Sequence, residues 1–303
     1  MARTPRSKAS DFDPEVLQLF DKYVHGIIDR RGFLAGAARF AVGATGAAGL
    51  LAALSPQFAA AQQVKPDDKR LSAGYIEFAS PQGYGKARGY LAKPAKARGP
   101  LPVVLVVHEN RGLNPHIEDI TRRLALENFI AFAPDALFPL GGYPGNEDAA
   151  RELFKQLDQA KTREDFVAAA QMLRGIEGGN GHLGVIGFCY GGGMANFLAT
   201  RLPDVAAAAP FYGSAAPVED VPKIKAELLV VLAANDERIN AGWPAYEAAL
   251  KSAGVRYSLY QPEGTQHGFN NDTTPRYDEA AAREAWSRAL ALFNRTLRGG
   301  AKG

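Results

Sequence analysis

The chain has 303 residues, 47% of them hydrophobic and 22% charged, with a formal charge of +3. That composition supplies a sizeable core in one large domain or two small ones. The near-neutral balance, with no basic cluster carrying interleaved aromatics, excludes nucleic acid as a partner. A single cysteine excludes an intrachain disulfide and a cysteine-rich metal site, so this thiol is intermolecular, inert or reactive.

The N-terminus reads as an address rather than as fold. Asp29-Arg30-Arg31-Gly32-Phe33-Leu34 has the twin-arginine pattern, and an Ala/Gly-rich apolar stretch runs from Ala35 to Leu54. Ser55-Pro56 precedes Ala59-Ala60-Ala61, a small-residue cleavage site. The pattern resembles a Tat export signal, recognised through Arg30 and Arg31 by machinery that passes folded proteins. The modest hydrophobicity and internal Arg39 argue against a membrane anchor, which leaves an amphipathic helix for membrane or oligomer contact as the alternative. The Phe12 to Ile28 portion of the leader reads as a short helix. Cleavage after Ala61 leaves a mature domain of residues 62–303, 242 residues at +1, expected in the periplasm without a stable membrane span. The oligomeric state has no signal in the chain.

From Leu71 onward, β-rich runs alternate with helical patterns, the arrangement of a mostly parallel sheet covered on both faces. Leu71 to Phe78 and Ala87 to Lys93 read as an edge hairpin around Pro81-Gln82-Gly83-Tyr84-Gly85. Pro102 to His108 is a continuous apolar run, as in a central parallel strand. Ile117 to Glu127 reads as a helix, Phe129 to Ala133 as a strand, and Glu147 to Leu157 and Arg163 to Ile176 as two helices. Further strands fall at Leu183 to Phe188, Val205 to Phe211, Leu228 to Ala233 and Arg256 to Gln261. Helices fall at Met194 to Arg201, Trp243 to Ala253 and Asp278 to Leu297, the last burying Ala280, Ala281, Trp286, Leu290 and Phe293. The expected fold is an α/β-hydrolase with about eight strands, helices on both faces, and ligands at the carboxyl ends of the strands.

The lone cysteine sits at the centre of Gly187-Phe188-Cys189-Tyr190-Gly191, between a strand and a helix. This is a Gly-x-Cys-x-Gly version of the nucleophile elbow, in which small neighbours permit a sharp turn and a strained central residue faces outward. A helix N-terminus acidifies a thiol placed there; a buried cysteine acting as a small hydrophobe is the alternative. Asp236 follows the Leu228 to Leu232 run, and His267 follows the last strand, so nucleophile, acid and histidine come in α/β-hydrolase order. Asp236 also suits a helix cap, Glu237 is an adjacent competitor, and His25, His108, His116 and His182 show that a histidine alone carries little information. The loop His108-Glu109-Asn110-Arg111-Gly112 follows the central strand; in this fold it contributes a backbone N–H to an oxyanion hole, here from the Glu109/Asn110 region, with the second from Tyr190. Glu109 beside a thiol either holds it quiet or takes its proton, or else pairs with Arg111 or Arg122 to stabilise the loop.

His-Glu-x-x-Gly, Gly-Phe-Cys-Tyr-Gly-Gly, Asp236 and Gln-His-Gly-Phe together resemble the dienelactone hydrolase (carboxymethylenebutenolidase) family over about Leu71 to Leu297, most closely members bearing export signals. The resemblance implies a cysteine hydrolase that opens an enol-lactone through an acyl-enzyme, without metal or cofactor. By position Cys189 would be the nucleophile, His267 the base, Asp236 its orienter and Glu109 the switch for the thiol. The family's carboxylate-binding arginine four residues past the histidine is Asn271 here, and Pro134 to Leu140 has no arginine for the second such position. Arg111 or Arg276 remains to supply the charge, with Tyr143 and Phe269 as further pocket candidates. The expectation is hydrolysis of a small lactone or ester; a broad carboxylesterase or thioesterase, and a catalytically silent binder, are the alternatives.

Overall fold

The computed structural model describes residues 7–41 and 46–299. Eight strands form one sheet in the order β1-β2-β4-β3-β5-β6-β7-β8. The hairpin pair β1 (Leu71–Ser80) and β2 (Gly85–Pro94) is antiparallel, and β2 joins β4 (Ile130–Pro134) antiparallel. From β4 onward, β3 (Leu101–Val107), β5 (Gly179–Phe188), β6 (Val205–Phe211), β7 (Glu227–Val231) and β8 (Tyr257–Tyr260) run parallel.

The apolar run of β3 is buried on both faces, as the sequence requires of a central strand. Val103, Leu105 and Val107 enter one core and Val104 and Val106 the other. The first core is closed by α7 (Gln159–Arg174), α8 (Tyr190–Arg201) and α10 (Trp243–Ser252) through Phe166, Leu173, Leu198 and Leu250. The second is closed by α5 (Pro115–Leu126) and α11 (Glu279–Leu297) through Ile117, Leu124, Ala285 and Phe293. Each fully buried large side chain contributes about 1.5–3 kcal/mol by leaving water. On α11 the buried stripe is Ala281, Ala282, Ala285, Ala289 and Phe293; Ala280 is exposed, and Trp286 and Leu290 are partly buried.

The helix of the elbow begins earlier than its apolar pattern suggests, at Tyr190 rather than Met194, because a glycine-rich first turn carries no apolar stripe. The strand before it is longer at its start, taking in Gly179 to His182.

The leader departs from its reading as a bare address, because its described residues are folded. Asp13 caps α1 (Pro14–Val24), accepting from the N–H of Glu15, and Asp29 caps α2 (Arg30–Ala37), accepting from Gly32. With α3 (Ala47–Leu54) they enclose a small core of Val16, Leu17, Phe20, Tyr23, Phe33 and Leu54. The helix expected over Phe12 to Ile28 is therefore present and amphipathic. Residues 42–45 of the apolar stretch lie outside the described residues. Among the described residues no helix is long and apolar enough to cross a membrane.

Candidate active site

Cys189 lies between β5 and α8 with φ 56° and ψ −112°, a left-handed conformation forced on a residue with a side chain. Two close approaches explain the flanking glycines. A Cβ on Gly187 would stand 1.9 Å from the Gly191 carbonyl oxygen, and one on Gly191 would stand 2.2 Å from that of Val107. The Cys189 N–H donates to Phe211 O at 3.0 Å, tying the elbow to the end of β6.

The end of β7 brings in Asp236, whose Oδ1 accepts from the Ile239 N–H at the start of α9 (Glu237–Asn240). Its Oδ2 lies 2.5 Å from His267 Nδ1. The cap and the histidine contact held as alternatives for Asp236 therefore coexist, one oxygen to each, and the competitor Glu237 merely opens α9. His267 is buried, with the ring of Tyr212 packed against it at 4.9 Å between centroids.

With Nδ1 held by the carboxylate, His267 presents Nε2 to His25, and the Cys189, His267 and His25 donor atoms lie within 4.8 Å of one another. Burial alone would push the thiol up, but the charge of His267 and hydrogen bonds from His25 and His267 outweigh it and hold Cys189 at about 6. Burial would likewise push His267 down, yet the Cys189 charge and the Asp236 hydrogen bond raise it to about 10. Between those values the pair is thiolate and imidazolium.

A cleft of about 310 Å³ between the leader and the domain is lined by Glu109, Asn110, Arg111, Tyr143, Asn271 and Arg276 on the domain side and by Phe20, Tyr23 and Val24 on the leader side, among others. Four of the five substrate-binding candidates thus meet in one place. Phe269 does not; it is fully buried against Tyr212 in the second core, where the turn after His267 directs it inward. Glu109 Oε2 accepts from Asn271 Nδ2 at 3.1 Å. The arginines named as partners for Glu109 engage other carboxylates: Arg111 is 3.8 Å from Glu147, and Arg122 lies near Glu118 and Asp119.

Sequence reasoning set His25 aside as uninformative, and the structure puts it in the centre of the site. Its Nε2 is 3.7 Å from Cys189 Sγ, 3.3 Å from His267 Nε2 and 2.9 Å from Arg238 Nη2. The leader arrives there as one wall of the cleft. Arg111 Nη2 and Asn110 Nδ2 donate to Val24 O at 2.9 and 3.1 Å, and Arg276 Nη1 lies 3.5 Å from Asp21 Oδ1. Arg151 Nη1 donates to Tyr23 O at 2.7 Å. The amphipathic Val16, Leu17, Phe20 and Tyr23 spacing signals that α1 needs a partner, which is the leader's own small core, and gives no sign that the end of α1 lies over the cleft.

The model of the dienelactone hydrolase family matches residues 87–297. The chain belongs to the dienelactone hydrolase family. This places it among hydrolases of ester and lactone bonds. A second model, described as YqhI-like, matches residues 4–42, the segment that carries α1 and α2. A "Putative carboxymethylenebutenolidase" of Synechocystis sp. is 34% identical over 230 residues, 69% of this chain and 92% of that protein. A "Putative hydrolase fragment YghX" of Escherichia coli is 56% identical over 105 residues, 35% of this chain and 90% of the fragment. A crystal structure described as a "Putative Dienelactone Hydrolase" from Klebsiella pneumoniae superposes with a TM-score of 0.65 at 30% identity, covering 74% of this chain and 99% of that one.

Proposed function

We propose that the protein hydrolyses small lactones or esters through a thioester on Cys189, with His267 as acid and base and Asp236 as its orienter. The observation that carries this is the 2.5 Å Asp236–His267 contact behind a thiol held at about 6 on a strained elbow. The Cys189 thiolate attacks the acyl carbon, and the tetrahedral oxyanion takes the backbone N–H groups of Tyr190 and Asn110. The carbon–oxygen bond to the leaving group breaks as the His267 imidazolium gives it a proton. Neutral His267 then takes a proton from water, the hydroxide attacks the thioester, and the thiolate leaves with the acid released. Glu109, held by Asn271, faces the same cleft and acts as a gate on the thiol that substrate displaces.

Arg111 and Arg276 are the cations that the domain gives the cleft, beside Arg30 of the leader, and favour a substrate with a carboxylate away from the scissile bond, the chemistry of a dienelactone. The leader supports this choice, since its Asp21 carboxylate and Val24 carbonyl already occupy those two guanidinium groups.

The same contacts make the leader an occupant that must depart. Export through the twin-arginine pattern and cleavage after Ala61 would leave 62–303 as the working enzyme in the periplasm. The join is suited to that cut: Gln63 N–H and Val64 N–H donate to the two oxygens of Asp119 at 3.0 and 2.8 Å, so the new terminus stays fastened. Neither large core of the domain contains a leader residue.

The test is kinetic. Cys189→Ala and His267→Ala in the 62–303 protein should each abolish hydrolysis of an aryl-ester and lactone panel while circular dichroism is unchanged. Full activity in either variant would remove these roles.

A further inference from the structure

We propose that His25, His267 and Cys189 together bind a zinc-type divalent cation that fastens the leader onto the active site. Among the described residues, these three side chains form the one group whose ligand atoms converge, all within 4.8 Å. The two separations from His25 are those of a coordination sphere. His25 Nε2 stands 3.3 Å from His267 Nε2 and 3.7 Å from Cys189 Sγ. A tetrahedral zinc with Zn–N of about 2.0–2.1 Å and Zn–S of about 2.3 Å separates two nitrogens by about 3.3 Å, and nitrogen from sulfur by about 3.6 Å.

The backing groups fit as well. His25 Nδ1 lies 2.8 Å from Asp21 O and 3.3 Å from Asp21 Oδ2, and His267 Nδ1 lies 2.5 Å from Asp236 Oδ2. With both Nδ1 atoms donating, one proton or one cation stands between the two Nε2 atoms: the imidazolium form of His267 supplies the proton, and a bound cation would replace it. A carboxylate behind each ligating imidazole is the usual outer shell of a metal site; it fixes the tautomer and raises ligand basicity. Arg238 Nη2 at 2.9 Å from His25 Nε2 is the competing group. It belongs to an exposed residue and can swing away.

Binding takes Cys189 as thiolate and releases the thiol proton to solvent. Three protein ligands leave a fourth position for water. The loaded chain is closed, because the sulfur and the His267 nitrogen are both occupied and α1 is held over the cleft. The donor geometry stands whether or not the hydrolase reading holds, so the test does not use turnover.

Cobalt(II) is the spectroscopic probe, titrated into the full-length chain at neutral pH. One equivalent should produce a near-ultraviolet thiolate-to-cobalt band and the strong visible bands of tetrahedral cobalt. His25→Ala should weaken binding about a hundredfold, the effect of losing one ligand of a small set. Arg238→Ala should strengthen it several-fold, because a competing cation is gone. Zinc should protect Cys189 from iodoacetamide in the full-length chain and not in His25→Ala. His25→Gln, checked by circular dichroism, covers the case in which the alanine variant unseats the leader. Absence of the thiolate band, or an identical band and affinity in both His25 variants, would overturn the proposal and leave a shared proton between the imidazoles.

Discussion

Deleting residues 1–61 should raise hydrolysis by about two orders of magnitude. The leader covers Cys189 only in part, leaving the thiol of intermediate exposure, so substrate reaches it freely only in the fraction of molecules whose leader has lifted. Two bonds from guanidinium groups to backbone carbonyls hold it there over the oxyanion loop and the α6 helix (Glu147–Phe154), Arg111 to Val24 O at 2.9 Å and Arg151 to Tyr23 O at 2.7 Å, beside the side-chain contacts of Arg276 with Asp21 and Arg238 with His25. At about 1.5 kcal/mol each, the low end for charge-assisted bonds, they favour the closed form by about 3 kcal/mol. The apolar contacts of Phe20 and Tyr23 lie within the leader's own core, where they offset the entropy of ordering the segment. An open fraction near 1% lowers apparent affinity and rate in proportion. The assay is kcat/KM for p-nitrophenyl acetate with the 1–303 and 62–303 proteins, both stripped of metal by a chelator. Equal values in the two would refute the reasoning, since the leader would then not lie over the thiol in solution. Arg111→Ala in the full-length chain should narrow the gap by about tenfold, because it removes one of the two carbonyl bonds.

Alkylation of Cys189 by iodoacetamide should follow a thiolate titration near pH 6 in the full-length chain: slow below that value, where the thiol is protonated, and level above it. Truncation to 62–303 should shift the midpoint upward, because the His25 hydrogen bond and charge both lower it; an unshifted midpoint would place His25 elsewhere. Asp236→Asn should cut kcat by about two to four orders of magnitude while the alkylation site remains, since the amide can still cap α9 but no longer fixes the imidazole tautomer. Unchanged kcat would make Asp236 only a cap. Asp272 is opposed by burial but held at about 2 by His116 and Arg123, so its folded value is depressed. Its contribution is therefore fully present above about pH 4 and lost as pH falls towards 2, about 2 kcal/mol in all. Asp272→Asn should lower the melting temperature at pH 7 by several degrees and flatten its fall below pH 4; an identical acid profile would contradict the assignment.

The sheet was legible because its strands are buried on both faces and read as unbroken apolar runs; Val205 to Phe211 matches β6 at both ends. The Cys189, Asp236 and His267 positions were legible for the same reason, since each follows a strand that ends at one edge of the sheet. What stayed hidden has long sequence separation. His25 meets Cys189 across 164 residues, and nothing local in the leader says which surface α1 will cover. The twin-arginine stretch reads as an address because it is short, apolar and small-residue-rich, yet the same residues bury Phe33 and Leu54 in a core of their own. Phe269 misled for a different reason: its place two residues after His267 suggests the pocket, while the turn at Gly268, with φ 82°, sends the ring into the core. Glu109 could be placed beside the cleft from spacing, but its partner Asn271 lies 162 residues away and follows only from the fold.

The most direct test of the central claim is the intact mass of the 62–303 protein during turnover of a lactone and aryl-ester panel, quenched in acid and mapped by peptide digestion. The account predicts a transient adduct on Cys189 equal to the mass of the substrate's acyl group, absent in Cys189→Ala and long-lived in His267→Ala once formed. Turnover without an adduct on Cys189, or turnover that survives its alkylation, would contradict it.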